Sequence, residues 1–218
     1  ADQELALAQY NLGRMYHSGK GVTQDYAEAA KWYRKAADQG IVEAQENLGL
    51  MYENGQGVPQ DPLEVRKWYR MAAEQGNATA QYNLGFNYEN GQGVPQDDAE
   101  AAKWYRLAAE QGHPKAQYSL GISYEIGQGV PQDYAEAFKW YRESLRQGYA
   151  PAQHKFGALY ANAKGVTQSY AQALKWYLRS AKQGYAPAQH DVAAMYGSGQ
   201  GAKQDFVEAG KWYRKAAL

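Results

Sequence analysis

A tryptophan recurs every 36 residues along the whole chain, each time within the same Lys-Trp-Tyr phrase. The sequence has six tryptophans in all, Trp32, Trp68, Trp104, Trp140, Trp176 and Trp212. Six periods of 36 residues fill all but two of the 218 residues. A fixed period of this length is typical of a solenoid, in which each unit buries its apolar face only against its neighbours. The periodicity therefore predicts one continuous array, with function on an extended surface instead of in a single catalytic pocket.

The third unit shows how the first half of each repeat is expected to fold. Ala80, Leu84 and Tyr88 are four residues apart and so lie on one face of a helix. Gly85 lies beside them, and we expect it to let a neighbouring helix approach closely. Two glycines and a proline within residues 91–96 then end this first helix and form a tight connection.

A second helix is expected to begin at Asp97, whose side chain is a good N-cap, with Glu100 completing a capping box. It ends at Gly112, because glycine commonly terminates helices. Equivalent cap pairs recur in the other repeats, namely Asp25/Glu28, Asp61/Glu64, Asp133/Glu136, Ser169/Gln172 and Asp205/Glu208. The residues expected on the buried side are Ala101, Trp104, Tyr105 and Ala108. Two helices cannot form a core alone, so adjacent repeats must stack.

The phrases Ala-x-x-x-Leu-Gly-x-x-Tyr, Gly-x-Gly-Val-x-x-Asp and Ala-x-x-Trp-Tyr-x-x-Ala-Ala resemble the Sel-one-like repeat family, relatives of the tetratricopeptide repeats. The resemblance implies an all-α fold, a right-handed superhelical α-solenoid of six helix-turn-helix repeats. We predict a single array over residues 1–218, with repeats at about 5–40, 41–76, 77–112, 113–148, 149–184 and 185–218. The last two repeats depart from the pattern, and we expect the solenoid to bend or loosen there. The departures are Ala163, Ala193, Ala202 and Gly210.

The resemblance further implies a non-enzymatic scaffold or adaptor that binds a protein or peptide on its concave face, without a cofactor. Bacterial members of the family are often secreted or periplasmic. The chain opens Ala1-Asp2 with neither an initiator methionine nor a signal-like segment, which favours a mature exported protein, periplasmic or secreted, over a chain trimmed at its start; a cytoplasmic location is the alternative.

By resemblance to the family, first-helix residues that point away from the second helix line the concave face. In the first four repeats these candidate partner-binding residues are Tyr10, Arg14, Glu46, Leu50, Glu53, Tyr82, Phe86, Glu89, Tyr118, Ile122 and Glu125. An apolar, tyrosine-rich strip edged by acid predicts a groove for a peptide that carries apolar and basic residues. For the apolar row, Leu50, Phe86 and Ile122, packing against the next repeat is an equally good interpretation. For the acidic row, Glu53, Glu89 and Glu125, we favour a face exposed to solvent.

Charge and composition narrow the class of partner. Lys plus Arg and Asp plus Glu both total 23, so the chain lacks the basic excess of a nucleic-acid-binding protein. No apolar run is long enough to span a membrane, and the absence of cysteine removes disulfides and thiolate sites. One lysine recurs at the same position of every repeat and forms a lysine ladder, namely Lys31, Lys67, Lys103, Lys139, Lys175 and Lys211. We predict that each of these lysines pairs with the Glu or Gln three residues earlier on its own helix and does not bind an anionic partner.

Catalytic and metal sites are not predicted. The sequence shows no Ser-His-Asp arrangement around its four histidines. His154 and His190 hold equivalent positions and could lie side by side, but a zinc site needs three or four ligands and no supporting carboxylate is evident. The alternative function is glycan or peptidoglycan binding by an envelope protein, and a hydrolase ranks third. The chain stops at Ala217-Leu218, directly after the sixth Trp-Tyr helix, although terminal repeats normally need a polar outer face. We therefore expect either that the array is part of a longer one or that its ends self-associate.

Overall fold

The computed structural model describes residues 2–217, and over that range the chain forms α-helices and no strands. Ala1, on which the prediction of an exported chain rests, and Leu218 lie outside the described residues. The helices are α1 (Asp2–Ser18), α2 (Tyr26–Asp38), α3 (Val42–Asn54), α4 (Pro62–Glu74), α5 (Ala78–Asn90), α6 (Asp98–Glu110), α7 (Pro114–Ile126), α8 (Tyr134–Arg146), α9 (Ala150–Ala161), α10 (Tyr170–Ala181), α11 (Ala186–Ser198) and α12 (Phe206–Ala216). Each repeat supplies one odd-numbered first helix and one even-numbered second helix, which confirms the all-α repeat fold.

The helices fall into two compact units with the boundary between Gln111 and Gly112. In the first unit each helix from α1 to α6 packs on the next in chain order, and α7 to α12 do the same in the second. Alanines line these contacts and allow close approach, while Leu48, Trp68 and Leu84 fill the core of the first unit. The predicted core positions Ala80 and Leu84 are fully buried. Burial of such apolar side chains is the main force that holds neighbouring repeats together.

The predicted N-caps of the second helices are confirmed, but the capping box is only half correct. The Asp97 carboxylate accepts hydrogen bonds from the backbone N–H groups of Ala99 and Glu100, both at 3.0 Å. The backbone N–H of Asp97 does not bond back to Glu100 but donates to the carbonyl of Tyr88 on the first helix, at 2.9 Å. The Glu100 carboxylate instead pairs with Lys103 at 3.1 Å. The cap thus also ties the two helices of a repeat together.

The first-helix glycine allows close approach, as predicted for Gly85. A Cβ atom at Gly85 would lie 2.7 Å from Cδ1 of Tyr105, so the tyrosine ring of the second helix rests directly on the glycine. In the last repeat Ala193 holds this position, and the equivalent Tyr213 is 44% exposed. A methyl group thus stands at the position where glycine supports the tyrosine ring in the other repeats.

In the second and third repeats the second glycine of the turn lies against the preceding repeat. Gly57 has φ +69°, and a Cβ atom there would overlap the carbonyl group of Tyr26 and lie 2.5 Å from the backbone nitrogen of Ala27. Gly93 stands in the same relation to Pro62. These contacts set the distance between one turn and the second helix before it.

In the fifth repeat Ala163 replaces the first of the two turn glycines. Its backbone adopts φ 54°, a conformation that strains L-residues by about 1–2 kcal/mol. This strained alanine is the local consequence of one of the departures noted in the sequence.

A row of buried glutamines, which the sequence analysis did not single out, joins the repeats. The Gln45 side chain donates to the Ala37 carbonyl of the preceding repeat at 3.1 Å and accepts from Gln75 of its own repeat at 2.8 Å. Gln81 repeats the first bond with Ala73. Each such glutamine adds a second hydrogen bond to a carbonyl in the last turn of a second helix, which also accepts from the backbone N–H of the glycine after that helix.

Candidate functional site

The apolar row of the predicted site is exposed in the first unit. Leu50 on α3 and Phe86 on α5 are 40% and 38% exposed, and Arg14 is exposed at the equivalent position of α1. In the second unit Ile122 on α7 is half-buried. The interpretation that Leu50 and Phe86 are buried against the next repeat is therefore wrong, because both side chains remain accessible to a partner.

The tyrosine row is half-buried and contributes to packing within each repeat. The ring of Tyr82 lies 5.7 Å from that of Tyr105, between ring centroids, and the Tyr10 and Tyr33 rings lie 5.8 Å apart. Tyr118 contacts Tyr141 in the same way. The second repeat has Glu46 instead of a tyrosine at this position, and the Glu46 carboxylate accepts a hydrogen bond from Asn77 at 2.7 Å. Each tyrosine therefore supports the second helix and presents only part of its ring to solvent.

The acidic row is not a solvated face, and that interpretation is wrong. Glu53 accepts a hydrogen bond from the Tyr69 hydroxyl at 2.8 Å, and Glu89 accepts one from Tyr105 at 2.7 Å. Burial raises the pKa of Tyr69 well above its ordinary value, and the Glu53 charge raises it further, so the hydroxyl stays protonated and donates. The ring that rests on the first-helix glycine thus directs its hydroxyl at the carboxylate.

Glu125 is the most enclosed of these acids, at 7% exposed. It accepts from the Tyr141 hydroxyl at 2.7 Å and lies 3.5 Å from Nζ of Lys155 and 3.2 Å from Nζ of Lys164. Desolvation raises the pKa of Glu125, but the tyrosine hydrogen bond and the two lysines together outweigh it and hold the pKa below its ordinary value. The carboxylate is therefore an internal ion-pair centre that joins the fourth and fifth repeats.

Replacing Glu125 by Gln is expected to lower the free energy of unfolding by about 1–3 kcal/mol at neutral pH, because a charge-assisted bond and two ion pairs are lost. A depressed pKa stabilises the fold above the ordinary pKa of Glu, and that contribution disappears as the pH falls through the folded-state value. The difference between wild type and variant should therefore shrink between neutral pH and about pH 3.

Urea unfolding at both pH values measures this difference. Replacement of the exposed Glu110 by Gln is the control and should have little effect at either pH. A difference for Glu125→Gln that stays constant across this pH range would contradict the assignment.

Two pockets bring some of the predicted residues together in the first unit. One, of about 510 Å³, is polar and includes Tyr10 and Arg14 of the first repeat. The other, of about 410 Å³, joins the second and third repeats and includes Glu53 and Phe86. Its remaining walls are formed by Tyr52, Gln60, Asp61, Pro62, Val65, Gly91, Gln92 and Gly93. Leu50 and Tyr82 do not line this second pocket.

The two equivalent histidines share a carboxylate that the sequence analysis missed. Asp191 lies 2.7 Å from Nε2 of His154 and 3.4 Å from Nδ1 of His190. Among residues 2–217, however, no three His, Cys, Asp or Glu side chains converge on a metal position. The cluster links the fifth repeat to the sixth by a hydrogen bond between His154 and Asp191, which are 37 residues apart.

Five of the six ladder lysines, all but Lys175, pair with the glutamate three residues earlier on their own helix, as predicted. Lys31 lies 2.6 Å from Glu28, and Lys211 lies 3.0 Å from Glu208. Such exposed pairs contribute little to stability, but they neutralise these five lysines. None of the helices over residues 2–217 combines the length and apolar character needed to cross a membrane.

The model of the Sel1 repeat matches six consecutive segments of the chain, residues 6–41, 42–77, 78–113, 114–149, 150–185 and 186–218. No functionally curated protein matches the sequence. Among solved structures, the chain is similar to a protective antigen of uropathogenic Escherichia coli strains that has the SLR fold. The TM-score is 0.91 with 41% identity, over 97% of this chain and 45% of the antigen. The chain therefore spans less than half the length of that protein.

A Sel1 repeat protein from Oxalobacter formigenes is similar over 98% of this chain and 86% of its own, with 37% identity and a TM-score of 0.90. An immunity protein from Pseudomonas aeruginosa shares the fold alone: it is 22% identical with a TM-score of 0.59, over 98% of this chain and 81% of its own. The repeat phrases, the glycine contacts between helices and the six matched segments agree, and the chain belongs to the Sel1 repeat family.

Proposed function

We propose that this protein is a non-enzymatic scaffold that binds a peptide segment of a partner protein across the first helices α3 and α5. The observation that carries the proposal is the exposure of Leu50 and Phe86, two large apolar side chains at equivalent positions of consecutive repeats. Exposed apolar groups in register on neighbouring elements are typical of interaction surfaces. Aromatic anchors such as Phe86 commonly supply a large share of the binding energy.

Two further considerations support a protein partner. Sel1 repeat proteins are generally protein-interaction scaffolds and typically lack catalytic activity. The rigid repeat frame also favours tight binding, because Tyr82 is held against Tyr105 and loses little freedom when a ligand covers it.

The surroundings favour a peptide with both apolar and basic residues. Leu50, Phe86 and the accessible part of Tyr82 offer apolar contact along the first-helix face. Glu53 and Glu89 lie in the adjacent row as carboxylates fixed by tyrosine hydroxyls. A peptide whose apolar side chains alternate with cations would complement both rows.

Selection of a random short-peptide library against the full chain tests this function. The tightest peptide is then titrated against the wild type and the double variant Tyr82→Ala/Phe86→Ala. The double variant should bind at least about tenfold more weakly, because two aromatic contacts are lost, each typically worth about 1 kcal/mol or more. Its helical circular dichroism should match that of the wild type.

The matched control is the double variant Met71→Ala/Leu107→Ala, which removes two exposed apolar side chains from the second helices α4 and α6. It should leave peptide affinity unchanged. Peptidoglycan fragments are titrated in parallel. Binding of those fragments, with no peptide selected, would favour the glycan alternative and overturn the proposal.

A further inference from the structure

Glu53 and Glu125 hold equivalent positions in the second and fourth repeats and accept the same tyrosine hydrogen bond, but their electrostatic surroundings differ. Glu125 is neutralised by Lys155 and Lys164 of the following repeat. At the equivalent positions beside Glu53, 72 residues earlier in the chain, the sequence has Asn83 and Gln92. Neither carries a charge, and within residues 2–217 no Lys or Arg forms an ion pair with Glu53.

The way Lys164 reaches Glu125 shows how a cationic side chain fits this site. Its Nζ atom lies 5.6 Å from the ring centroid of Tyr134 and 3.2 Å from the Glu125 carboxylate. An aromatic face and a carboxylate thus hold the ammonium group together.

The equivalent space beside Glu53 is open. Pro62 stands where the second unit has Tyr134, Gln92 stands where it has Lys164, and both line the pocket of about 410 Å³. Tyr52 and Phe86 complete its apolar wall. The pocket therefore combines a fixed carboxylate with an apolar wall, and the lysine that occupies this position in the fifth repeat is replaced by a shorter, neutral side chain.

We propose that this pocket binds a lysine or arginine side chain of the partner peptide. The aliphatic part of that side chain contacts Tyr52 and Phe86, and its cationic group pairs with the Glu53 carboxylate, as Lys164 pairs with Glu125. The inference rests on the proposed function and specifies one residue type in the partner. A cation is favoured over a neutral group because Tyr69 satisfies only one oxygen of Glu53.

The test uses two small probes, Nα-acetyl-lysine methylamide, whose side-chain ammonium group is free, and its uncharged analogue Nα-acetyl-norleucine methylamide. Each is titrated into the isotopically labelled full chain while the backbone amide signals of Glu53, Phe86 and Gly93 are followed. The lysine probe should bind about two- to fivefold more tightly than the norleucine probe, as expected for a partly exposed ion pair. Salt should reduce this preference, and Glu53→Gln should abolish it.

The variant Gln92→Lys supplies the missing lysine from within the chain. It should pair with Glu53 and prevent the lysine probe from shifting the pocket signals. The matched control is Gln200→Lys, at the equivalent position of the sixth repeat, where Ala161 replaces the carboxylate of the preceding repeat. This control should leave probe binding unchanged.

Equal affinities of the two probes for the wild type, or undiminished lysine binding by Gln92→Lys, would overturn the inference. Its failure is separable from failure of the proposed function. If a selected peptide requires Tyr82 and Phe86 while the pocket shows no preference for lysine, the inference fails alone. If the pocket prefers lysine but the library yields no peptide, the pocket binds a cationic side chain as inferred, but the assignment of that side chain to a partner peptide fails with the proposed function.

Discussion

Replacing Gly57 by Ala is expected to lower the free energy of unfolding by about 2–5 kcal/mol. A Cβ atom at this position would overlap the Tyr26 carbonyl group and crowd the backbone of Ala27, which cannot move without shifting the start of α2. Overpacking of this kind typically costs about 1–3 kcal/mol. The φ of +69° adds about 1–2 kcal/mol for any residue with a side chain.

Gly40→Ala separates these two contributions. Gly40 has φ +87°, but no atom lies within 4 Å of its potential Cβ, so the variant should lose only about 1–2 kcal/mol from backbone strain. Urea denaturation followed by circular dichroism compares both variants with the wild type. Equal losses would show that the contact between Gly57 and α2 does not limit the spacing of the repeats.

Replacing Asn87 by Met is expected to raise the free energy of unfolding by about 1–3 kcal/mol. Asn87 is 1% exposed, and among residues 2–217 neither its Nδ2 nor its Oδ1 atom finds a hydrogen-bond partner. An unpaired buried amide costs about 1–3 kcal/mol. The first, second and sixth repeats have Met15, Met51 and Met195 at this position, so a methionine side chain suits the site.

The reverse exchange, Met51→Asn, is the matched control. Met51 is also almost completely buried, and this variant should lose stability because it exchanges packed apolar atoms for an unpaired amide. Thermal and urea midpoints should move in opposite directions for the two variants. A lower midpoint for Asn87→Met would mean that the amide is satisfied in solution, for example by an ordered water molecule.

The features predicted correctly from the sequence depend on local structure. Asp97 caps α6 through bonds to residues two and three positions later, and Gly85 accommodates a ring from the helix paired with its own. Both follow from helix geometry and from a phrase that recurs at every repeat, because six copies make an accidental match improbable. The charge pairing of Lys31 with Glu28 is local in the same sense.

The errors concern contacts between helices. Helical periodicity places Glu53 away from the core, but it does not show that the hydroxyl of Tyr69, 16 residues later, reaches the carboxylate. Comparison of the repeats gives no signal for this bond, because the tyrosine recurs in all six of them, whereas the glutamate is present only in the second, third and fourth; the equivalent residues elsewhere are His17, Ala161 and Gly197. The bond between His154 and Asp191 was missed for the same reason, because it joins adjacent repeats and has no counterpart along a single helix.

The exposure of Leu50 and Phe86 was equally beyond the sequence, since the spacing of neighbouring first helices decides whether such side chains meet each other or solvent. That spacing depends on the glycine contacts of the turns, as at Gly57 and Gly93, and on the buried glutamine bonds, such as that of Gln45. A sequence pattern fixes which residues share a face, but the distance between faces is a property of the packed array.

Binding of a partner peptide by the first-helix face around Leu50 and Phe86 can be measured with the library-selected peptide. Its dissociation constant is determined for the wild type and for the Tyr82→Ala/Phe86→Ala variant at matched helical content. We expect binding at least about tenfold weaker in the variant, which corresponds to about 1.4 kcal/mol. Equal dissociation constants for the two folded proteins would show that this face is not the binding surface.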